Sequence, residues 1–158
     1  MIALEYLGVY LLWTLALWVT HWLAHVVKRG PLYDLHCYHH KLFFEGEFDD
    51  LPPRWIRLLG FYTTDWKDIA EQTATEVLPT IPVCIVTGHW WPLAIVWFDN
   101  AFISPYLDHK PNNYWWFGHG TFHTDHHENS AVNYGFYTIV WDVIFRTFRR
   151  PERVANAI

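Results

Sequence analysis

The chain has 158 residues, a formal net charge of −5 and a 52% hydrophobic composition. That length suits a single domain spanning residues 1–158, and the mild acidity leaves no electrostatic footprint for nucleic acid. Two cysteines, Cys37 and Cys84, form no CxxC pattern, which argues against a disulfide framework, a thiolate zinc site and a cysteine-held iron–sulfur cluster. The excess lies elsewhere, in eleven tryptophans and eleven histidines.

Ile2–Val27 is apolar apart from Glu5, two threonines, His21 and His25. It is long enough to cross a hydrocarbon core of about 30 Å as a helix. No basic segment precedes it and no small-residue cleavage site follows, so it does not read as a signal peptide. Lys28 and Arg29 end it.

Phe43–Trp66 mixes acids with aromatics and is broken at Pro52-Pro53. Its "RWIRLLGFY" interleaves basic and apolar residues. Two readings stay open there, a helix lying in the membrane interface and a polar loop.

Thr75–Leu107 is apolar but too long for one span, with "GHWWP" in its middle. Gly and Pro mark a turn. The expectation is a hairpin of two helices, Thr73–Thr87 and Trp91–Ser104. All Lys and Arg fall within Lys28–Lys67 or Lys110–Arg153. By the positive-inside rule the N-terminus lies outside and those two stretches are cytoplasmic. The fold class expected is all-α integral membrane: about three transmembrane helices plus cytoplasmic and interfacial helices carrying a histidine-rich dimetal site. Tryptophan's preference for membrane interfaces agrees. A soluble helical protein with three buried helices is the alternative.

The histidines cluster three times: "HWLAH" (His21, His25), "HCYHH" (His36, His39, His40) and "HTDHH" (His123, His126, His127). Offsets of three and four project imidazoles from one helical face. Neutral imidazole is the commonest metal ligand near pH 7. One metal seldom takes more than four to six protein ligands, so this many histidines point to two metals. His109 follows the last predicted span and is a ninth candidate. His119 precedes His123 by four residues, with Gly120 between them, and is a tentative tenth. His89 falls in the outer turn and reads as structural. HExxH is absent, structural zinc needs four ligands, and haem needs only one or two axial histidines. Imidazole alone does not choose among iron, zinc, copper and nickel.

The order HxxxH, HxxHH, HxxHH among membrane helices resembles the fatty acid hydroxylase/sterol desaturase superfamily of integral-membrane di-iron oxygenases. The last part matches most closely: His123-Thr-Asp-His126-His127, then Asn133-Tyr134-Gly135, then Trp141-Asp142-Val-Ile-Phe145-Arg146-Thr147. The likeness runs from about His21 to Arg150. It implies two irons, with His21, His25, His36, His39, His40, His109, His123, His126 and His127 as ligands. It also implies O2 as co-substrate and oxidation of a C–H bond in a lipid or isoprenoid. Carotenoid hydroxylases of similar length are relatives, so desaturation and terpenoid hydroxylation belong to the same expectation. Three departures stand out. Pro105 occupies the place of a further family histidine, Arg146 stands where Gly is usual, and one helix of the first membrane hairpin is missing. A partner chain completing that helix is one expectation.

Asp125, Asp108 and Asp142 are the nearest carboxylates in sequence, each able to orient a ligand imidazole. Helix capping or surface charge is the plainer reading of each. Asn133, Tyr134, Trp141 and Asp142 are expected to lock the last box in place. With no nucleotide fingerprint, cluster or haem domain in the chain, electrons must come from an external donor: a ferredoxin, a cytochrome b5-type protein or a reductase. The basic tail "RTFRRPER" suits docking such a donor or anchoring near anionic lipid. The expected location is a bacterial inner membrane or the ER membrane, with the boxes and C-terminus cytoplasmic. The rival classes are a non-catalytic scaffold subunit that keeps the metal fold and a two-zinc hydrolase. Zinc is also the expected contaminant of an iron site.

Overall fold

The computed structural model describes residues 2–110 and 118–151, and all regular structure among them is helical. Helix α1 spans Ile2–Val26. It is followed by α2 (Pro31–Phe44), α3 (Arg54–Leu58) and α4 (Trp66–Gln72). A π-helical turn (Thr73–Val77) carries α4 into α5 (Leu78–Thr87). After α6 (Trp91–Phe102) come α7 (Ser104–Leu107), α8 (Thr121–Glu128) and α9 (Val140–Phe145).

Local chemistry sets these boundaries. Gly30, at φ 91°, takes a backbone position closed to most residues, and Pro31 opens α2 with its φ already helical. Asp65 caps α4, its side chain accepting from the backbone N–H of Lys67 and Asp68. Gly88 closes α5 in the left-handed conformation at φ 72°.

The apolar hairpin therefore has the expected turn but different ends. Nothing breaks the chain at Gln72, so its first helical path begins upstream at Trp66 rather than at Thr73. The second helix stops at Phe102, because Pro105 lacks the N–H that would bond back to Ala101. At 12 residues, α6 is about 18 Å long, short of a full hydrocarbon core. One helix among the described residues, α1, is long and apolar enough to cross a membrane by length and composition. The basic–apolar middle segment condenses to the five-residue α3, with Trp55 exposed and Ile56 buried.

Packing runs along two main seams, α1 against α5 and α2 against α4. Trp13, Leu17, Val83, Val96 and Tyr137 form the core. Trp13 donates its indole N–H to Thr80 Oγ1 at 2.8 Å, which satisfies the one polar atom that burying tryptophan brings inside. The outer faces stay apolar: Leu4, Leu7, Val86, Phe98 and Ile144 are all exposed.

The segment after α8 is tied down by Asp142, which is fully buried. Its carboxylate accepts from the backbone N–H of Tyr134 (2.8 Å) and Gly135 (2.9 Å), from Trp18 Nε1 (3.1 Å) and from Thr147 Oγ1 (2.7 Å). A β-carbon at Gly135 would run into the Thr138 carbonyl and Asp142 itself. Asn133 Oδ1 accepts from the Arg149 backbone, and Trp141 Nε1 donates to Thr14 on α1. The stretch from Asn133 to Thr147 is thus a clasp holding α8 against α1. Glu152 and Arg153 of the basic tail lie outside the described residues.

Candidate metal centre

Two groups of four imidazoles meet at the junction of α1, α2 and α8. His21, His25, His36 and His126 form group one, and His39, His109, His123 and His127 form group two. Within each group the ligand nitrogens lie within 4.8 Å of one another. His40 stands between them: its Nε2 is 3.2 Å from His36 Nε2, and its ring centroid is 4.3 Å from that of His127. All eight histidines of the three boxes, and His109 with them, therefore converge on one place.

The boxes do not act as units. α2 sends His36 to group one and His39 to group two. α8 sends His126 to group one, with His123 and His127 going to group two. Only α1 serves a single group, through His21 and His25. His109 comes from the turn after α7 and holds a left-handed backbone, φ 53°. Such a conformation costs a non-glycine residue on the order of 1–3 kcal/mol and persists only where surroundings over-determine it.

Four of the rings have their outer nitrogen held. His21 Nδ1 donates to the Tyr134 carbonyl (2.8 Å) and His126 Nδ1 to the Val132 carbonyl (2.7 Å). His36 Nδ1 lies 2.6 Å from Glu71 Oε1, and His39 Nδ1 lies 2.7 Å from Asp68 Oδ1. A carbonyl oxygen can only accept, so the proton of His21 and His126 sits on Nδ1 and the Nε2 lone pair faces inward. The carboxylates favour the same tautomer for His36 and His39. The facing atoms are close: His25 Nε2 is 3.0 Å from His126 Nε2 and 2.8 Å from His36 Nε2. In group two, His109 Nε2 is 3.2 Å from both His39 Nε2 and His123 Nε2. His21 Nε2 is buried and has no hydrogen-bond partner. Inward lone pairs with no protons between them repel, and a cation at their focus removes the repulsion. The donor set therefore fits a metal in each group.

Protons suit this place poorly. Burial above all holds His36, His109, His126 and His127 well below the usual histidine range, pushes His123 down to about 4 and His40 to about 2. His39 departs from this. Burial opposes its charged form, but the Asp68 and Glu71 carboxylates outweigh burial and raise it to about 9. Burial raises Glu71 to about 7.

Asp68 and Glu71 are the orienting carboxylates, and sequence reasoning missed both. Their i,i+3 spacing on α4 matches the i,i+3 spacing of His36 and His39 on α2, so one carboxylate backs one ligand of each group. The three carboxylates named as candidates for that role are placed differently. Asp142 holds the clasp and touches no imidazole. Asp108 lies between two rings at longer range, 3.8 Å from His109 Nδ1 and 3.7 Å from His119 Nδ1. Asp125 is half-buried on α8.

His119 stands outside both groups. Gly120, at φ 60° and ψ −133°, breaks the chain before α8, so the four-residue spacing to His123 is not helical. Its imidazole sits 3.2 Å from Asp99 Oδ1, and its pKa is raised well above the ordinary value: burial opposes the charge, and the nearby Asp108 and Asp99 carboxylates overcome it. His89 pairs with Glu5 at 2.9 Å, away from the centre.

Group one borders a cavity of about 310 Å³ lined by His25, His36, His40, Lys28, Tyr33, Cys37 and Ser130. Beside group two the space next to His109 and Asp108 is about 10 Å³, room for about one water. No protein-family model matches this chain, and neither a curated protein nor a solved structure matches it, so the two histidine groups stand on their own geometry.

Proposed function

We propose that the protein is an integral-membrane di-iron oxygenase of the fatty acid hydroxylase/sterol desaturase type, inserting oxygen from O2 into a C–H bond of a lipid-like substrate. The observation that carries this reading is the interleaving of the two four-histidine groups on α2 and α8. A single structural zinc needs four ligands and no partner site. Two adjacent all-imidazole groups suit a redox pair. HExxH, with the general base of a metallohydrolase, is absent.

Two irons held by these groups would supply O2 activation and oxidation of an unactivated C–H bond. The chain's own residues do the rest. The carbonyls of Val132 and Tyr134 and the carboxylates of Asp68 and Glu71 fix ring orientation. Burial keeps water from most of the centre. α1 and the α5–α6 hairpin, with apolar residues on their outer faces, form the membrane part. With α1 crossing and the α5–α6 hairpin entering from the same side as the basic stretches, the positive-inside rule puts the N-terminus outside and the histidines at the cytoplasmic boundary. Electrons arrive from an external ferredoxin, cytochrome b5-type protein or reductase.

The test is metal content and the Mössbauer spectrum of protein purified from iron-replete cells. Two coupled irons per chain that react with O2 are expected. A chain that stays metal-free, or takes only zinc even when reconstituted anaerobically with Fe(II), would overturn the reading in favour of a scaffold subunit. His126→Ala is expected to abolish turnover while leaving membrane insertion intact.

A further inference from the structure

A second cavity, of about 290 Å³, opens between α1 and α6. Trp13, Ile95, Phe98 and Ile103 form its walls, and Asp99, His119 and Tyr137 form its polar floor. The volume is at the lower limit of small-molecule sites, and an apolar wall with a few convergent polar groups is their usual composition.

The floor is a built network. Asp99 Oδ2 accepts from Ser104 Oγ at 2.8 Å, and Asp99 Oδ1 lies 3.2 Å from His119 Nε2. The Tyr137 hydroxyl lies 3.4 Å from both Asp99 Oδ2 and Glu76 Oε2. It has one proton for two long contacts, so neither is a strong bond, and an oxygen lone pair remains free. Asn100 Nδ2 holds Glu76 from the other side at 2.9 Å. Asp108, which approaches His109 of group two, reaches the far nitrogen of His119 at 3.7 Å. The floor thus leads from the cavity to the metal centre through one histidine and one carboxylate.

Charge selects the occupant. Glu76, Asp99 and Asp108 bring three carboxyl groups to this network, and His119 is its one imidazole. It has no cation to spare for an acidic head. A hydroxyl both donates and accepts, which matches Asp99 and the under-used Tyr137. We propose that the α1–α6 cavity binds a lipid-like alcohol, its chain between the apolar walls and its hydroxyl on Asp99, His119 and Tyr137, and that it discriminates against chains with a carboxylate head. This rests on the oxygenase reading only for the membrane setting, and it narrows that reading's substrate class to neutral alcohols.

Photolabelling tests the assignment without turnover. The full chain in nanodiscs is exposed to diazirine-bearing probes of one chain length with an alcohol, a carboxylate or a primary amine head. Labelled peptides are then mapped by mass spectrometry. The alcohol is expected to label the Tyr10–Trp13 and Ile95–Ile103 stretches several-fold more than the other two. Ile95→Trp, which fills the cavity mouth, should remove that label, and Ile95→Ala should keep it. Equal or stronger labelling by the acid or amine overturns the proposal, as does alcohol labelling that ignores Ile95→Trp when Ile95→Ala and wild type agree. If Ile95→Trp fails to insert, competition by unlabelled long-chain alcohol against unlabelled acid on the wild-type chain decides in its place. A chain that never hydroxylates can pass this test, and an active oxygenase labelled elsewhere fails it.

Discussion

The two histidine groups share helices, chemistry and size, and differ in access. Group one has half-buried His25 at the wall of a cavity of about 310 Å³. All four histidines of group two are buried, beside about 10 Å³ of space. Each group has one carboxylate behind one ring, Glu71 for His36 and Asp68 for His39. The carboxylate backing is therefore symmetrical while exposure is not. A pair built this way would have one metal that meets exogenous ligands from the polar side and one that is enclosed among the described residues.

Three experiments sharpen or break that contrast. The largest effect is expected from the carboxylates. Removing an orienting partner typically costs 10–100-fold in metal affinity or activity, so Glu71→Gln should weaken one of the two metals by about that factor and Asp68→Asn the other. Competition titrations with a chromophoric chelator, read as two separate binding steps, check this. If either change weakens both steps equally, the groups are one site. Next in size is metal release. A hydrophilic chelator should strip the two metals in two phases, about tenfold or more apart, since each tenfold corresponds to only about 1.4 kcal/mol of opening free energy. A bulky maleimide on exposed Cys37, at the cavity wall, should slow the fast phase alone. A single phase would sink the claim of unequal access. The smallest effect is a control remote from both cavities. Arg146 caps α9 at φ 61°, a left-handed position costing a non-glycine residue about 1–2 kcal/mol. Arg146→Gly should raise the melting temperature by a few degrees without changing either metal-binding step.

Much of the centre was legible in the sequence, for a local reason. Spacings of three and four on a helix are read directly from residue numbers, and the eight histidines of the three boxes converge; His109, found by its place after the last apolar segment, joins them. Their partition was not legible, because His36 and His39 look equivalent until α4 and α8 are packed around them. Asp68 and Glu71 escaped notice for the same reason: their match to α2 exists only across a tertiary contact. His119 misled because its spacing to His123 is helical in number but not in backbone, with Gly120 turning the chain between them. Arg146 is the converse. Its departure from the usual glycine stood in the sequence without a reason, and the structure supplies one, a left-handed backbone at φ 61°. The apolar segments were found, while their ends depended on Asp65 and Pro105, single residues with outsized local effect.

The division of α8 between the groups also has a consequence for how the protein comes to exist. His25 and His126 are 101 positions apart, and His39 and His109 are 70 apart. Neither group is complete until α8 has been synthesised. Contacts this remote in sequence close slowly, because loop entropy is lost before they return anything. Throughout translation the nascent chain holds five imidazoles from α1 and α2 in an unfinished cluster, open to whichever cation arrives first. The order of emergence from the ribosome, and not only the finished geometry, therefore bears on which cation the two groups would take.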